Sequence, residues 1–86
     1  MRFTGALVKE QGVTFAVIVV KQWVLQSTSE RLRVQRGAAP LFPGVPIILM
    51  AQDSNGRATY FGHHNIVNFL KNVHISQITL REYQAA

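Results

Sequence analysis

The chain has 86 residues, of which 48% are hydrophobic and 15% are charged, and it contains no cysteine. The length predicts a single domain, and the absence of cysteine excludes disulfides, thiolate catalysis and cysteine zinc sites. Nine Lys and Arg against four Asp and Glu give a net charge of +5. Because so small a domain cannot bury that much apolar surface, we expect a homodimer at micromolar concentration that buries either the final strand or the face around Tyr60.

The N-terminal residues predict a β-hairpin. Phe3 to Val8 and Val13 to Val20 are rich in strand-forming residues, and a charged connector that ends at Gly12 separates them. The second segment, VTFAVIVV, is apolar at consecutive positions. That pattern is typical of a strand that is buried on both faces, so we expect it near the centre of a sheet.

The same region bears on location. Lys9, Glu10 and Gln11 interrupt the apolar core that a signal peptide would need. The run from Val13 to Val20 is far shorter than the ~20 residues of a membrane span. The sequence therefore predicts a soluble, cytoplasmic protein of bacterial type with no membrane partner.

Residues 21 to 36 leave alternatives open. Lys21 to Gln26 either prolongs the strand or begins a loop, with Trp23, Val24 and Leu25 packing inward. Ser27 is followed three residues later by Glu30, which matches a helical capping box. This predicts a helix from about Thr28 to Arg36 that ends at Gly37. The alternative is an edge strand over Arg31 to Gln35, where polar and apolar residues alternate.

The second half begins with a proline-containing loop over Ala38 to Gly44. Val45 to Met50 is a second run that is apolar on both faces and predicts a second buried strand. The sequence Asp53-Ser54-Asn55-Gly56 predicts a tight turn, because Asn-Gly adopts left-handed conformations easily. Ala58 to Phe61 then returns as an antiparallel strand.

The last quarter predicts a helix and a strand. Gly62 breaks the preceding strand, and apolar residues then recur at helical spacing on one face: Ile66, Phe69, Leu70 and Val73. Ile75 to Tyr83 predicts a final strand, with Ile78 and Leu80 on one side.

These elements predict an α+β domain with the order ββαββαβ, in which two helices pack on a mixed sheet of about five strands. Val13 to Val20 and Val45 to Met50 are expected to be neighbouring parallel strands in the middle of the sheet, since both are apolar on both faces. Their connection through a helix is expected to be right-handed.

The segment from Gly44 to Val73 resembles the second half of a thioredoxin-like domain, and of glutaredoxins especially. The resemblance is carried by Val45-Pro46 at the start of a strand, Asn55-Gly56 in a turn, Gly62, and a helix that starts near His63. In that family the Val-Pro peptide bond is cis, and the proline loop and the helix N-terminus help to hold a substrate or a glutathione carboxylate. Without cysteine, the resemblance implies geometry but not redox chemistry.

Adjacent histidines form the first candidate site. His63 and His64 would point about 100° apart on a helix, so they cannot chelate one metal ion simply. The sequence therefore predicts no metal site and no cofactor. They could instead bind an anion, since free backbone N–H groups at the helix start, Arg57 and Tyr60 could meet a carboxylate or phosphate. The alternative is that the histidines merely begin a helix.

Catalysis and nucleic-acid binding are the remaining alternatives. An enzyme or metal-dependent protein would use His63, His64 and Asp53, but no carboxylate–histidine pairing emerges from their spacing. A nucleic-acid binder would use the basic cluster Arg31, Arg33 and Arg36, although such clusters usually form a solvated face. We therefore expect a non-catalytic interaction or ligand-binding module that self-associates, with an anionic small ligand or a protein as a further partner.

Overall fold

The computed structural model describes residues 2–10, 12–73 and 75–85, and within them a five-stranded mixed sheet carries helices on both faces. The α+β class predicted from the sequence is confirmed. In chain order the elements are β1 Arg2–Glu10, β2 Val13–Val19, α1 Gln22–Leu25, α2 Thr28–Ala38, β3 Ile47–Gln52, β4 Ala58–Phe61, α3 His64–Leu70 and β5 Arg81–Gln84. Two 3-10 turns, Ala39–Leu41 and Ile75–Gln77, follow α2 and precede β5.

The sheet has the strand order β4-β3-β2-β1-β5, so β2 is its middle strand. β2 and β3 are parallel, with Ala16 opposite Ile47 and Val19 opposite Met50. The other neighbouring strands are antiparallel. The predicted central parallel pair and the predicted N-terminal hairpin are therefore both confirmed.

Each face of the sheet holds its own core, because side chains on a strand alternate between faces. In β2, Ala16 and Ile18 join the core under α1 and α2, while Phe15 and Val17 join the core under α3. All four side chains are almost completely buried. This double burial explains why the sequence of β2 does not alternate, and each large apolar side chain so buried is worth roughly 1.5–3 kcal/mol.

The capping interaction predicted for α2 is present. Ser27 is the N-cap, and its hydroxyl accepts a hydrogen bond from the backbone N–H of Glu30 at 3.3 Å. The helix nevertheless continues through Gly37 to Ala38, so its predicted end is wrong. The alternative edge strand over Arg31–Gln35 is also wrong. Ala38 is fully buried against the sheet, and this packing outweighs the cost of about 1 kcal/mol for a glycine within a helix.

The short helix α1 was not predicted. Residues 21 to 26 neither prolong the strand nor form a loop, because Gln22–Leu25 makes one helical turn directly after β2. Val24 is buried and Leu25 packs against the core. Trp23 was expected to pack inward, but its exposed fraction is 54%, since one turn of helix can direct only one side of itself toward the sheet.

The strand β3 begins two residues later than predicted. Pro46 lacks an N–H and its carbonyl oxygen accepts from the backbone N–H of Ala16 at 2.9 Å, just before the ladder starts at Ile47. The described residues contain no cis peptide bond, so Val45-Pro46 is trans, unlike the bond that the glutaredoxin resemblance implies. The turn at Gly56, with a positive φ of 81°, and the antiparallel strand β4 are as predicted.

The predicted C-terminal strand is wrong in its first part. Ile75–Gln77 is a 3-10 turn, and β5 begins at Arg81. Ile78 is buried in the core under α3, whereas Leu80 is exposed, so the two do not share a side. Between α3 and β5, the chain therefore contributes Ile78 to the core and only then joins the edge of the sheet. Among the described residues, no helix is long and apolar enough to cross a membrane.

Candidate functional site

The histidine pair lies at the start of α3. His63 is the N-cap residue, but its side chain makes no capping hydrogen bond. His64 is in the first turn, and its Nε2 is 3.2 Å from the Nδ2 of Asn68. Both imidazoles are exposed to solvent. The third histidine, His74, lies outside the described residues.

The structure separates the histidines from Arg57. Arg57 precedes β4 and His63 follows it, so the four residues of the strand stand between them. At about 3.3 Å per residue, the strand alone separates its two ends by roughly 10–13 Å. Arg57 and the histidines are therefore at opposite ends of β4, and the structure does not bring them together around one small anion.

The carboxylate of Asp53 is engaged in the β3–β4 turn. Its Oδ1 accepts hydrogen bonds from the backbone N–H groups of Asn55 and Arg57, both at 2.9 Å. This is the local use of an Asp side chain that tight turns favour. Within residues 2–10, 12–73 and 75–85, no three His, Asp or Glu side chains are grouped so that they could hold a metal ion.

A groove on the α3 side of the sheet joins Arg57 and Tyr60 to Lys71. Its volume is about 350 Å³, and we call it the Arg57–Lys71 groove. It is lined by Gly56, Arg57, Ala58, Tyr60, Leu70, Lys71 and Val73. β4 supplies one wall, and the other is formed by Leu70 at the end of α3 together with Lys71 and Val73 just after it.

Tyr60 gives this groove a polar group. Its Oη atom is buried and has no hydrogen-bond partner within the described part of the chain. Burial raises the pKa of the phenol above its ordinary value, because the charged phenolate would lose hydration there. Leaving a buried hydroxyl without a hydrogen-bond partner costs free energy. Any contact that supplies a partner for Oη of Tyr60 is therefore stabilising.

Two neighbouring depressions differ in charge. One, of about 160 Å³, is lined by Glu10, Val13 and Phe69 among others, and another, of about 340 Å³, also includes Glu10. Among the described residues that line it, the Arg57–Lys71 groove has two cationic side chains and no acidic one. The positive charge of this groove therefore favours binding of an anion, whereas Glu10 in the other two depressions opposes it.

The sequence prediction included Arg57 and Tyr60 but missed Lys71. A signal was present, because Lys71 stands between Leu70 and Val73 of the predicted apolar face. A lysine at this position is expected to project its side chain from the edge of that apolar face. What the sequence does not give is the distance between the end of α3 and the start of β4, which depends on how the helix crosses the sheet.

The three arginines of the predicted basic cluster all lie in α2, and two of them make contacts within the fold. Arg31 donates hydrogen bonds to the carbonyl of Leu25 and to the hydroxyl of Thr28. Arg33 forms an ion pair with Glu30 at 2.8 Å. Arg36 is exposed and has no such contact among the described residues. Two of the three guanidinium groups are thus used within the fold.

The edges of the sheet are formed by β4 and β5. β4 has the sequence Ala58-Thr59-Tyr60-Phe61 and contains no charged residue and no proline. Phe61 points to the face opposite Tyr60, and its exposed fraction is 40%. β5 contains Arg81 and Glu82, and Glu82 accepts a hydrogen bond from Thr4 at 2.8 Å.

Comparison of the chain with protein-family models, with curated proteins and with solved structures gives no match in any of the three.

Proposed function

We propose that this protein is a non-catalytic interaction module that self-associates, and that the two copies meet along β4. The observation that carries the proposal is the uncharged edge strand Ala58–Phe61 with an exposed phenylalanine at its end. An edge strand presents backbone N–H and C=O groups that can pair with another strand. Two edges that meet in this way join two sheets into one.

The opposite edge is less suited to pairing. Natural proteins protect edge strands with charges, prolines or bulges. β5 has such charges in Arg81 and Glu82, whereas β4 has none along its four residues. The apolar composition of the chain supports the same conclusion, because exposed large apolar side chains, including Phe61, remain on this small domain.

The pairing has a natural centre at Thr59. In a symmetric antiparallel pair, Thr59 of one copy lies opposite Thr59 of the other, and Ala58 lies opposite Tyr60. Residues that face each other then lie on the same face of the joined sheet, as antiparallel pairing requires. Threonine pairs stabilise such contacts through a hydrogen bond between the two side chains.

The test is the mass of the protein in solution. The wild-type protein at high micromolar concentration is expected to show twice the 9.6 kDa monomer mass by light scattering after size exclusion. Thr59→Lys places two ammonium groups opposite each other at the centre of the pair and is expected to give a monomer. Gln84→Lys makes the same change at an exposed position of β5 and is the matched control, which is expected to remain a dimer.

Two results would overturn the proposal. A wild-type protein that stays monomeric at high concentration does not self-associate. A dimer that Gln84→Lys dissociates and Thr59→Lys does not would use β5 in place of β4. Circular dichroism of both variants checks that each substitution, at an exposed position, leaves the fold intact.

A further inference from the structure

We propose that the Arg57–Lys71 groove binds a small amphiphilic anion, which has an apolar body and ends in a carboxylate. The proposal does not depend on self-association, since it rests on the groove of a single copy. Three features of the groove carry it: two cations that form no ion pair within the described residues, a buried hydroxyl that has no hydrogen-bond partner there, and an apolar wall between them.

The two cations are available to a ligand. Neither Arg57 nor Lys71 forms an ion pair within the described residues, and both side chains are exposed. The nearest carboxylate in sequence, that of Asp53, already accepts two backbone N–H groups in its turn. Arginine presents a planar pair of donors that matches a carboxylate, and a nearby ammonium adds to the attraction.

The hydroxyl of Tyr60 selects for an acceptor. A phenol in its neutral form can donate to an anionic oxygen, and such charge-assisted hydrogen bonds are stronger than neutral ones. The phenol is neutral at neutral pH even at its ordinary pKa, and burial raises that pKa further. Oη is covered in the free groove, so a small shift of the Tyr60 ring would bring it to a carboxylate between Arg57 and Lys71 and give it a partner.

The remaining walls are apolar. Ala58, Leu70 and Val73 line the groove together with the ring of Tyr60. The volume of about 350 Å³ is at the small end of ligand pockets. A simple inorganic anion would leave this apolar surface exposed to water, whereas a short organic acid would cover it. This is why the proposal names an amphiphile and not a free phosphate.

The experiment uses 4-phenylbutyrate as the probe, titrated into the full chain and followed by backbone amide chemical shifts. We expect saturable shifts at Arg57, Tyr60 and Lys71. The neutral analogue 4-phenylbutan-1-ol and inorganic phosphate are the two comparison ligands. Each is expected to bind at least about tenfold more weakly, because the alcohol lacks the carboxylate and phosphate lacks the apolar body.

Variants separate this site from general attraction to a basic protein. Arg57→Gln combined with Lys71→Gln is expected to weaken binding of 4-phenylbutyrate about tenfold or more. Lys21→Gln combined with Arg81→Gln removes the same net charge from exposed positions elsewhere and is expected to leave binding unchanged. Tyr60→Phe removes the hydroxyl alone and is expected to weaken binding about three- to tenfold.

Three results would overturn the proposal. The first is the absence of saturable shifts around the groove with 4-phenylbutyrate. The second is equal weakening by the two charge-removing double variants, which would show attraction by net charge alone. The third is equal binding of phosphate or of the neutral alcohol, which would exclude an amphiphilic anion as the ligand class. The dimer mass is measured separately, so failure here is distinct from failure of self-association.

Discussion

The guanidinium carbon of Arg31 lies 4.2 Å from the centroid of the Phe61 ring, so the first turn of α2 is held over the edge strand β4. The same side chain donates a hydrogen bond to the carbonyl of Leu25 in α1. One arginine thus links both N-terminal helices to the edge of the sheet, through a cation–π contact and hydrogen bonds.

Arg31→Gln is therefore expected to lower the free energy of unfolding by about 1–2 kcal/mol, because both kinds of contact are lost. Arg36→Gln removes the same charge from an exposed side chain of the same helix, and we expect it to change stability by less than about 0.5 kcal/mol. Urea unfolding of both variants provides the comparison. Equal stability of the two variants would show that the contacts of Arg31 contribute nothing.

Tyr60→Phe is expected to leave the free energy of unfolding unchanged or to raise it by up to about 1 kcal/mol. The substitution removes a buried hydroxyl that has no hydrogen-bond partner among the described residues, and with it the cost of taking that oxygen out of water. The ring keeps its place against the core. Thermal or urea unfolding measures the effect, and a loss of more than about 1 kcal/mol would mean that Oη has a partner in solution.

Tyr60 also predicts a loss of stability at alkaline pH. Its pKa is raised in the folded protein relative to the unfolded chain, so the folded state holds the phenol proton more tightly. The resulting contribution is fully present below the unfolded pKa of about 10 and is lost as the pH rises through the folded value. The wild-type protein should therefore lose stability faster than Tyr60→Phe above about pH 10. Parallel pH profiles of the two proteins would contradict this.

Gly62→Ala is expected to destabilise the fold by about 2 kcal/mol or more. Gly62 has a φ of 154°, and a Cβ added there would lie 2.5 Å from Cδ1 of the fully buried Ile48. The substitution combines an unfavourable backbone conformation with a clash in the core. Gly44→Ala, at a φ of 76° with open space around it, isolates the backbone contribution and should cost less. If both variants lost the same free energy of unfolding, the contact with Ile48 would add no cost, because the core would adjust around the new methyl group.

The histidines are expected to be replaceable. His63 occupies an N-cap without a capping hydrogen bond, and His64 is exposed in the first turn. His63→Ser combined with His64→Asp supplies a capping hydroxyl and a negative charge at the helix start, so the melting temperature should be equal to or higher than that of the wild type. His63→Ala with His64→Asp, which has no capping group, should melt lower than this double variant. If replacing these histidines abolished binding of 4-phenylbutyrate, the anion site would lie at the start of α3 and not in the Arg57–Lys71 groove.

The fold was predictable wherever one local pattern decided the structure. Val13 to Val20 and Val45 to Met50 were recognised as central strands because double burial removes the alternation that a half-exposed strand shows. The turn over Asp53 to Gly56 was predictable because Asn55-Gly56 easily adopts the left-handed backbone conformations of a tight turn. The ends of elements were less predictable: α2 passes Gly37 because Ala38 packs into the core, and local propensity contains no information on that packing.

The candidate site was predictable only in part. Arg57 directly precedes β4 and Tyr60 lies within it, three residues further on, so their proximity follows from the chain itself. Their separation from His63 follows from the length of β4, which the sequence also gives. Lys71 joins them through tertiary packing, because the angle at which α3 crosses the sheet decides which strand its last turn meets.

The exposure of Trp23 determines how this protein can be observed. It is the single tryptophan of the chain, and it stands on α1 with more than half of its surface in water. Its emission should therefore resemble that of a hydrated indole in the folded protein as well as in the unfolded one, so tryptophan fluorescence should report little of the unfolding transition. The same property makes the indole a sensitive probe of α1. A shift of its emission to shorter wavelength on addition of another molecule would indicate that something has covered that helix, without any label being attached.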